Sequence, residues 1–321
     1  MKPVICFGEA LIDFLNTGTM EDGGLSLPNF RQYPGGAPAN AAVAVAKLGG
    51  DAHFAGQVGD DSFGHFLKNA LGKYGVKTDT LSFHPSAKTA LAFVMLNHEG
   101  DRSFSFYRDN SADLVFEKFQ VSDNWFNGSP LFHFCSNTLT HAPIAEVTEY
   151  AVDRARTGQS IVSFDANLRH NLWQQGNADR ERVNKLVAKA DLIKFAREEL
   201  DYLAGSEQQA YIKRCFEQGV QLILITNGPE PVEYFIQGGE SGSVAPPEVS
   251  AVDTTAAGDA FIGAMLFGIS RLDSLAELIE NSDRLQNLIG FATRCSAYTV
   301  ARPGAFPALP DCNSISIPEF I

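Results

Sequence analysis

Five short apolar runs recur along the chain, and each one ends in small or polar residues before a pattern typical of a helix. The runs are 4-VICFGE-9, 131-LFHFCSN-137, 161-IVSFDAN-167, 191-DLIKFA-196 and 222-LILITNG-228. The helical patterns cover about 37–48, 61–74, 143–157, 179–189, 206–218, 259–270 and 282–300. Because strands that are buried on both faces of a sheet read as continuous apolar runs, this alternation predicts an α/β fold with a mostly parallel sheet flanked by helices.

Two segments do not follow this rhythm. Residues 13–34 are polar and loop-like, whereas residues 89–108 alternate around a turn signal at 98-HEGD-101, which predicts a hairpin. Since neither segment fits the buried sheet, we expect them to form a small separate β-sheet that acts as a lid. The chain, 1–321, is then one domain with lid segments inserted at approximately 13–34 and 89–110.

The formal net charge of −13 argues against sequence-independent binding to nucleic acid or to an anionic membrane. No apolar stretch approaches 18 residues, and the N-terminus lacks the features of a signal peptide. The five cysteines never occur in C-x-x-C spacing, and Cys6 and Cys135 lie in strand-like runs where we expect small buried side chains. These features predict a soluble, reduced, cytoplasmic protein.

The stretch 251-AVDTTAAGDAFIGA-264 places small residues directly before an apolar helical run. Because Ala256, Ala257 and Gly258 have little or no side chain, their N–H groups can face an approaching anion. The dipole of a helix that begins near Asp259 favours a phosphate there. Asp259 could accept the proton of a hydroxyl beside that phosphate, as phosphoryl transfer to an alcohol requires. The alternative is structural, because an acidic first-turn residue stabilises a helix by about 0.3–1 kcal/mol.

A second small-residue stretch is 33-YPGGAPANAAVAVAKLGG-50. Gly35 and Gly36 permit close approach of the backbone, and Asn40 lies in the first turn of the helix, which would suit an array of sugar hydroxyls. A glycine turn that only enters a packed helix is the alternative. The sequence contains no P-loop motif and no G-x-G-x-x-G motif. Its seven histidines show no metal-binding spacing, and His133 reads as a core residue.

Both stretches, as 35-GGAPAN-40 and 253-DTTAAGDAFIGA-264, resemble the two signatures of the ribokinase-like (PfkB) carbohydrate kinases. The resemblance covers essentially the whole chain, through 58-VGDDSFG-64, 165-DANLR-169 and 302-RPGAFPALP-310. Within the family the chain is most similar to fructokinases, in 104-FSFYRDNSAD-113, in DANLR and in K-x-x-x-E-E-L at 194–200. The resemblance implies a ribokinase-like, doubly wound sheet with a small β-sheet lid.

The resemblance also implies a role for each matching residue. Asp259 would be the catalytic base, and the N–H groups of Ala256, Ala257 and Gly258 would form an anion hole. The substrate would be bound by Asp13, Gly35, Gly36, Asn40, Arg108, Asn167 and Arg169. The nucleotide would lie near Lys194, Thr226, Gly228 and Thr293. Glu199 would hold Mg²⁺ through water, and Asp253 and Thr255 lie in a loop that binds a monovalent cation such as K⁺ in many members.

The implied reaction is the ATP-dependent, Mg²⁺-assisted phosphorylation of a sugar's primary hydroxyl, with D-fructose as the expected acceptor, by a homodimer formed through the lid. A kinase for 2-keto-3-deoxygluconate, ribose or a nucleoside-like acceptor is the first alternative, because Arg108 and Arg169 could also suit a sugar acid. A non-catalytic sugar sensor is the second, and the presence of Asp259 argues against it. Family members usually have glycine at position 256, so Ala256 requires a negative φ for the loop to keep its shape.

Overall fold

Thirteen strands form two sheets in the part of the chain that the computed structural model describes, residues 1–96 and 102–319. The strands are β1 (Val4–Phe7), β2 (Leu11–Asp22), β3 (Leu25–Gly35), β4 (Ala52–Gly59), β5 (Leu81–His84), β6 (Leu91–Leu96), β7 (Arg102–Tyr107), β8 (Leu131–Cys135), β9 (Ile161–Asp165), β10 (Leu192–Ala196), β11 (Leu222–Asn227), β12 (Glu230–Ile236) and β13 (Ser241–Val244). The α-helices are α1 (Ala37–Lys47), α2 (Ser62–Lys73), α3 (Ala142–Thr157), α4 (Arg180–Val187), α5 (Arg197–Ala204), α6 (Gln208–Glu217), α7 (Ala257–Ser270), α8 (Ala276–Ile279) and α9 (Ser282–Val300).

The larger sheet has nine strands in the order β13-β12-β11-β10-β9-β8-β1-β4-β5. Its strands run parallel from β11 to β5, and β12 and β13 add an antiparallel edge. This arrangement confirms the predicted α/β fold, and all five predicted strands, β1 and β8 to β11, belong to this sheet. The sequence analysis does not predict β4, β5, β12 and β13, because glycines and polar residues interrupt their apolar patterns.

Both faces of this sheet are covered by helices. Along β1, Val4 and Cys6 pack into one apolar cluster, whereas Ile5 and Phe7 pack into the other. The first cluster includes side chains of α1, α2, α7 and α9, and the second includes side chains of α3 to α6. Burial on both faces is the reason that these strands read as continuous apolar runs.

The seven predicted helices are all present, with ends that differ from the predicted ones by at most two residues. Asp61 is the N-cap of α2, and its side chain accepts a hydrogen bond from the Gly64 N–H at 2.9 Å. The sequence analysis does not predict the short helices α5 and α8. His133 is fully buried, with Nδ1 3.1 Å from Ser163 Oγ, which confirms its expected place in the core.

Helices α1 and α7 approach each other closely because their facing side chains are small. Gly263 of α7 lies against Ala41 and Ala44 of α1, and a Cβ added to Gly263 would overlap that of Ala44. One turn earlier in each helix, Asn40 contacts Asp259. The two helices therefore run parallel, with their first turns side by side at one edge of the sheet.

The smaller sheet has four strands in the order β3-β2-β6-β7. The predicted small separate sheet is therefore present, but residues 13–34 are not loop-like, because most of them belong to β2 and β3, which pair antiparallel around a turn at Gly23 and Gly24. Much of this ribbon is exposed, so its sequence lacks the apolar face that would mark it as a strand. The hairpin strands β6 and β7 pair as predicted, and the turn signal at 98–101 lies outside the described residues.

Within residues 1–96 and 102–319, no helix is both long and apolar enough to cross a membrane. Cys6, Cys135, Cys215 and Cys295 are buried, Cys312 is exposed, and all five are free thiols. The burial of Cys6 and Cys135 agrees with the prediction from their apolar surroundings.

Candidate active site

A cavity opens where the carboxyl ends of β1, β8 and β9 meet the first turns of α1 and α7. Ligands of open α/β sheets bind at this edge. The small sheet adds Leu11 and Asp13 from β2 and Phe106 from β7. The remaining lining residues are Glu9, Gly36, Ala37, Asn40, Arg108, Asn137, Asn167, Arg169, Asn171, Leu172, Thr254, Thr255 and Asp259.

Asp259 lies in the first turn of α7, where it is only 7% exposed but lines the cavity. Its Oδ2 accepts a hydrogen bond from Asn40 Nδ2 at 2.7 Å. Burial raises the pKa of Asp259, while this hydrogen bond and the charges of Arg169 and Lys194 oppose that rise in part. A carboxylate with a raised pKa at the wall of a cavity is suited to accept a proton near neutral pH.

The loop before α7 is held by Asp253. Asp253 Oδ1 accepts a hydrogen bond from the Thr255 N–H, and Oδ2 accepts one from the Gly304 N–H, each at 2.9 Å. Ala256 has φ −113°, so its Cβ is accommodated without strain, as the sequence analysis requires of an alanine at this position. The Ala257 N–H points to Thr254 O at 3.3 Å, within a turn that leads into the helix.

Lys194 places a positive charge beside this loop. A Cβ added to Gly258 would lie 3.1 Å from Lys194 Nζ. Lys194 is 5% exposed, and its Nζ lies 3.1 Å from Asp165 Oδ1 on the neighbouring strand β9. Burial alone would lower the pKa of Lys194, but the charges of Asp165 and Glu199 outweigh it and the pKa is raised. The ammonium therefore stays protonated next to the predicted anion hole.

The two glycines of 35-GGAPAN-40 pack closely against the side chain of Asp13 and the backbone of Glu9. A Cβ added to Gly35 would overlap Asp13 Oδ2, and one added to Gly36, which has φ +104°, would lie 2.5 Å from Glu9 O. Burial, together with the charge of Asp259, raises the pKa of Asp13 to about 7. Only glycine at both positions allows the Asp13 carboxylate and the start of α1 to be this close.

Arg108 is buried at the base of β7 and makes three different hydrogen bonds. Its Nε donates to Asp113 Oδ2 at 2.7 Å, its Nη2 donates to Asn137 O at 3.0 Å, and its Nη1 donates to Thr140 Oγ1 at 3.3 Å. Asp113 is also buried, so the pair forms an ion pair shielded from solvent. The guanidinium thus lines the cavity with its charge already balanced.

Asn167 and Arg169 follow β9 in a tight turn. Asn167 has φ +36°, and its carbonyl accepts hydrogen bonds from Ser136 Oγ at 3.1 Å and from the Arg169 N–H at 2.9 Å. Arg169 is exposed and lines the cavity, and its charge lowers the pKa of both Asp13 and Asp259. Arg169 is therefore an exposed cation of the cavity that acts on the carboxylates of both Asp13 and Asp259.

Residues 1–312 match the pfkB family carbohydrate kinase. The chain belongs to this family. A probable chloroplastic fructokinase-6 of Arabidopsis thaliana is 40% identical over 318 residues, covering 97% of this chain and 81% of the relative. A fructokinase of Xylella fastidiosa, solved with bound ATP, is 42% identical with a TM-score of 0.89 and covers 96% of this chain and 95% of that one. A double mutant of the Vibrio cholerae fructokinase, solved with fructose, ADP and potassium ion, is 30% identical with a TM-score of 0.85, covering 97% and 96%.

Of the residues that the pfkB resemblance singles out, the fold brings eight to the wall of the cavity: Asp13, Gly36, Asn40, Arg108, Asn167, Arg169, Thr255 and Asp259. Gly35, Asp253, Ala256, Ala257, Gly258 and Lys194 lie directly behind them. Glu199 is 8% exposed and accepts hydrogen bonds from the Leu168 N–H at 2.8 Å and the Ala196 N–H at 2.6 Å, which join the ends of β9 and β10.

Three of the four residues expected near the nucleotide, all except Lys194, lie away from this cavity. Thr226 is at the end of β11 beside Ala196, and Gly228 follows it in an exposed turn with φ +55°. Thr293 is buried in α9, and its hydroxyl donates to Gly290 O at 2.9 Å. Their contact with ATP stays a prediction.

Several cavity residues were given no role by the sequence analysis, among them Glu9, Phe106 and Asn137. Glu9 and Asn137 each end one of the apolar runs, at 4-VICFGE-9 and 131-LFHFCSN-137. The rule that ligands bind beyond the carboxyl ends of strands singles out Glu9 from the sequence, and it applies equally to Asn137. Phe106 offers no such signal, because its position depends on how the small sheet folds over the cavity.

Proposed function

We propose that this protein is a fructokinase, which transfers the γ-phosphoryl group of ATP to the primary hydroxyl of D-fructose and yields fructose 6-phosphate. The observation that carries the proposal is the buried Asp259 carboxylate, hydrogen-bonded to Asn40, at the helix N-terminus that forms one wall of the cavity. Asp259 accepts the proton of the attacking hydroxyl, which then attacks the γ-phosphorus in line. The fructokinases among its relatives support this choice of acceptor.

The loop at 256–258 and Lys194 supply the complementary charge. The N-terminus of α7 and the Lys194 ammonium beside Gly258 both favour negative charge at the same point. Negative charge on the transferred phosphoryl group is stabilised at this point, and such electrostatic stabilisation is the largest contribution expected in phosphoryl transfer. The Xylella fastidiosa relative was solved with ATP, and we assign ATP as the donor here as well.

The state of Arg108 favours a neutral sugar over a sugar acid. Its guanidinium is already paired with Asp113 inside the protein, so a substrate carboxylate would have to compete with a buried ion pair. Arg169 is then the cation that acts on both Asp13 and Asp259, with Lys194 adding a second positive charge near Asp259. A neutral ketose adds no further negative charge to this cavity, whereas 2-keto-3-deoxygluconate would add one.

Mg²⁺ would arrive with the nucleotide phosphates. No group of three or more His, Cys, Asp or Glu side chains suited to a metal occurs in residues 1–96 and 102–319, which fits an ion that is held mainly by phosphates and water. Each oxygen of Glu199 already accepts one backbone N–H and keeps a further lone pair for a metal-bound water. For K⁺, Asp253 orders the loop that includes Thr255, and the binding of potassium ion by the Vibrio cholerae relative supports a role for such a cation in this protein as well.

We further propose that residues 1–321 form one kinase domain in which the segments 13–34 and 89–110 act as a lid. Asp13 and Phe106 of the small sheet both line the cavity, so movement of this sheet would change access to the substrate. Closure would exclude water, which otherwise competes as the phosphoryl acceptor. We assign the protein to the cytoplasm, since its five cysteines are free thiols.

The test is release of ADP from Mg·ATP in the presence of fructose, ribose, glucose, mannose, 2-keto-3-deoxygluconate or adenosine, with ³¹P NMR to locate the new phosphate ester. We expect a strong preference for fructose and a 6-phosphate product. Preference for the sugar acid would overturn the assignment of fructose and keep Asp259 as the base. Sugar binding without any sugar-dependent ADP release would instead support the non-catalytic sensor.

A further inference from the structure

Glu9 is a buried carboxylate of the cavity that the reaction described above does not use. It follows β1 directly and is 2% exposed. Its Oε1 accepts hydrogen bonds from the Ala37 N–H at 3.1 Å and from Asn137 Nδ2 at 2.9 Å. Since these two donors come from the start of α1 and the end of β8, the carboxylate is fixed in position. Its second oxygen, Oε2, is buried without a hydrogen-bond partner.

Two further acceptor atoms of the same cavity are in the same condition. Oδ1 of Asn137 and Oδ1 of Asn40 are both buried and without a partner. Buried polar atoms in native proteins are nearly always hydrogen-bonded, because an unpaired one loses its hydrogen bonds to water without gaining others. Three unpaired acceptors around one cavity therefore indicate a ligand that brings several donors, and a polyhydroxylated sugar has this property.

We propose that Glu9 Oε2 and Asn137 Oδ1 form a subsite that accepts hydrogen bonds from sugar hydroxyls, and that Glu9 thereby determines specificity for a neutral, hydroxyl-rich substrate. The proposal rests on the proposed function in taking the ligand to be a sugar. It adds that recognition depends on hydroxyl donors at this subsite, separately from the hydroxyl that faces Asp259.

The charges around Glu9 favour the same kind of ligand. Burial raises the pKa of Glu9, whereas the charge of Arg108 and the hydrogen bond from Asn137 favour its ionised form. Because Arg108 and Asp113 balance each other, Glu9 in its ionised form gives this corner of the cavity one net negative charge. A carboxylate or phosphate on the substrate would be repelled there, and a carbonyl oxygen would leave both acceptors unpaired. Sugar hydroxyls can each donate to one of these acceptors, and the loss of such a hydroxyl leaves its acceptor unpaired, which is the situation in which enzymes discriminate most strongly.

The experiment compares Glu9→Gln with the unmodified enzyme on fructose and on its 1-deoxy, 3-deoxy and 4-deoxy analogues, by kcat and KM for ADP release. Glutamine keeps an acceptor for Ala37 and Asn137 but replaces the free acceptor with an N–H donor. With one of the analogues, we expect the kcat/KM of the unmodified enzyme to be about 10-fold or more below its value for fructose. For Glu9→Gln, the corresponding decrease should be at most about 3-fold. The variant should raise KM for fructose more than it lowers kcat.

Asp191→Asn is the matched control, because it makes the same change in a half-buried carboxylate between α4 and β10, and its Oδ2 accepts a hydrogen bond from the Val162 N–H at 2.8 Å. For this control, kcat/KM should decrease with each analogue by the same factor as it does for the unmodified enzyme. If Glu9→Gln unfolds below the assay temperature, the same comparison is made with Asn137→Ala. A variant that discriminates among the analogues just as the unmodified enzyme does would overturn the inference.

The two proposals fail in different ways. If the unmodified enzyme phosphorylates a different neutral sugar and leaves fructose untouched, the proposed function is wrong, and the deoxy series of that sugar tests Glu9 instead. If the preferred substrate proves to be a sugar acid, both proposals are wrong.

Discussion

Asn40 and Asp259 are 219 positions apart in the chain, yet Asn40 Nδ2 donates a 2.7 Å hydrogen bond to Asp259 Oδ2. The contact joins the first turns of two parallel helices whose close packing depends on Ala44 and Gly263. It holds the carboxylate of the proposed base in one orientation, and it favours the ionised form that can accept a proton.

Replacing the proposed base should abolish most of the activity and leave the fold intact. Asp259→Asn keeps an oxygen that can accept from Asn40 Nδ2, so we expect a melting temperature close to that of the unmodified protein. Loss of a general base lowers kcat by about 10²–10⁴. Steady-state ADP release with fructose measures this effect, and turnover near that of the unmodified enzyme would exclude Asp259 as the base.

Removing the Asn40 side chain should change the pH dependence. Asp259 must be ionised to accept a proton, and burial has already raised its pKa, so activity is lost as the pH falls through that pKa. Asn40→Ala removes the hydrogen bond that favours the ionised form, so the pKa rises further. The acid limb of kcat/KM against pH should therefore move to higher pH. An acid limb in the same place would show that Asn40 does not tune the base.

A methyl group at position 35 should weaken sugar binding. In Gly35→Ala the new Cβ would overlap Asp13 Oδ2 and displace that carboxylate. A lost hydrogen bond to a charged group costs about 1.5–3 kcal/mol, so we expect KM for the sugar to rise by about 10-fold or more. The matched control is Gly72→Ala in α2, where a Cβ meets nothing within 4 Å, and it should leave KM unchanged. Equal KM values for both variants would contradict the tight fit around Asp13.

Substitutions in the Lys194–Asp165 ion pair should affect the unfolding free energy and the turnover differently. Lys194→Met leaves Asp165 buried without its cation, and breaking a buried ion pair on one side costs about 3–5 kcal/mol of unfolding free energy. The double variant with Asp165→Asn should regain most of that loss in urea unfolding. Turnover should stay low in both variants, because neither has a positive charge beside Gly258. Recovery of turnover in the double variant would show that Lys194 acts only through stability.

The small sheet is the expected site of dimer formation. Both of its outer strands carry exposed apolar side chains, with Leu25 of β3 64% exposed and Tyr107 of β7 65% exposed. Unpaired strand edges of this kind recruit another strand. Light scattering at micromolar concentration should give a dimeric mass for the unmodified protein and a monomeric mass for Leu25→Glu. Phe119→Glu, at an 81% exposed position outside the small sheet, should stay dimeric. A monomeric unmodified protein would contradict the assignment.

The parts of the site that the sequence predicts are those that local patterns encode. Asp259 and the loop before it belong to one short stretch, in which small residues precede an apolar helix. The requirement for a negative φ at Ala256 follows from the presence of a Cβ, and the structure meets it with φ −113°. Such features depend on a few neighbouring residues, so a single sequence is enough to predict them.

The remaining features depend on contacts between distant segments. Glu9 and Asn137 meet only because β8 lies beside β1 in the sheet, and no pattern in either run gives that strand order. Residues 104-FSFYRDNSAD-113 do not reveal that Arg108 turns back to pair with Asp113 rather than with a ligand. The ribbon of β2 and β3 reads as a loop because it stabilises itself by strand pairing, with little apolar burial to mark it.

The hydrogen bond from the Gly304 N–H to Asp253 has a consequence for synthesis of the protein on the ribosome. Most of the sheet and α1 are made early, but the proposed phosphate-binding loop is braced only after residue 304 has been added. A nascent chain that already contains Asp13 and Asn40 therefore carries part of the proposed sugar site before that loop is braced. Phosphate transfer has to wait until Gly304 has been added and can hold Asp253.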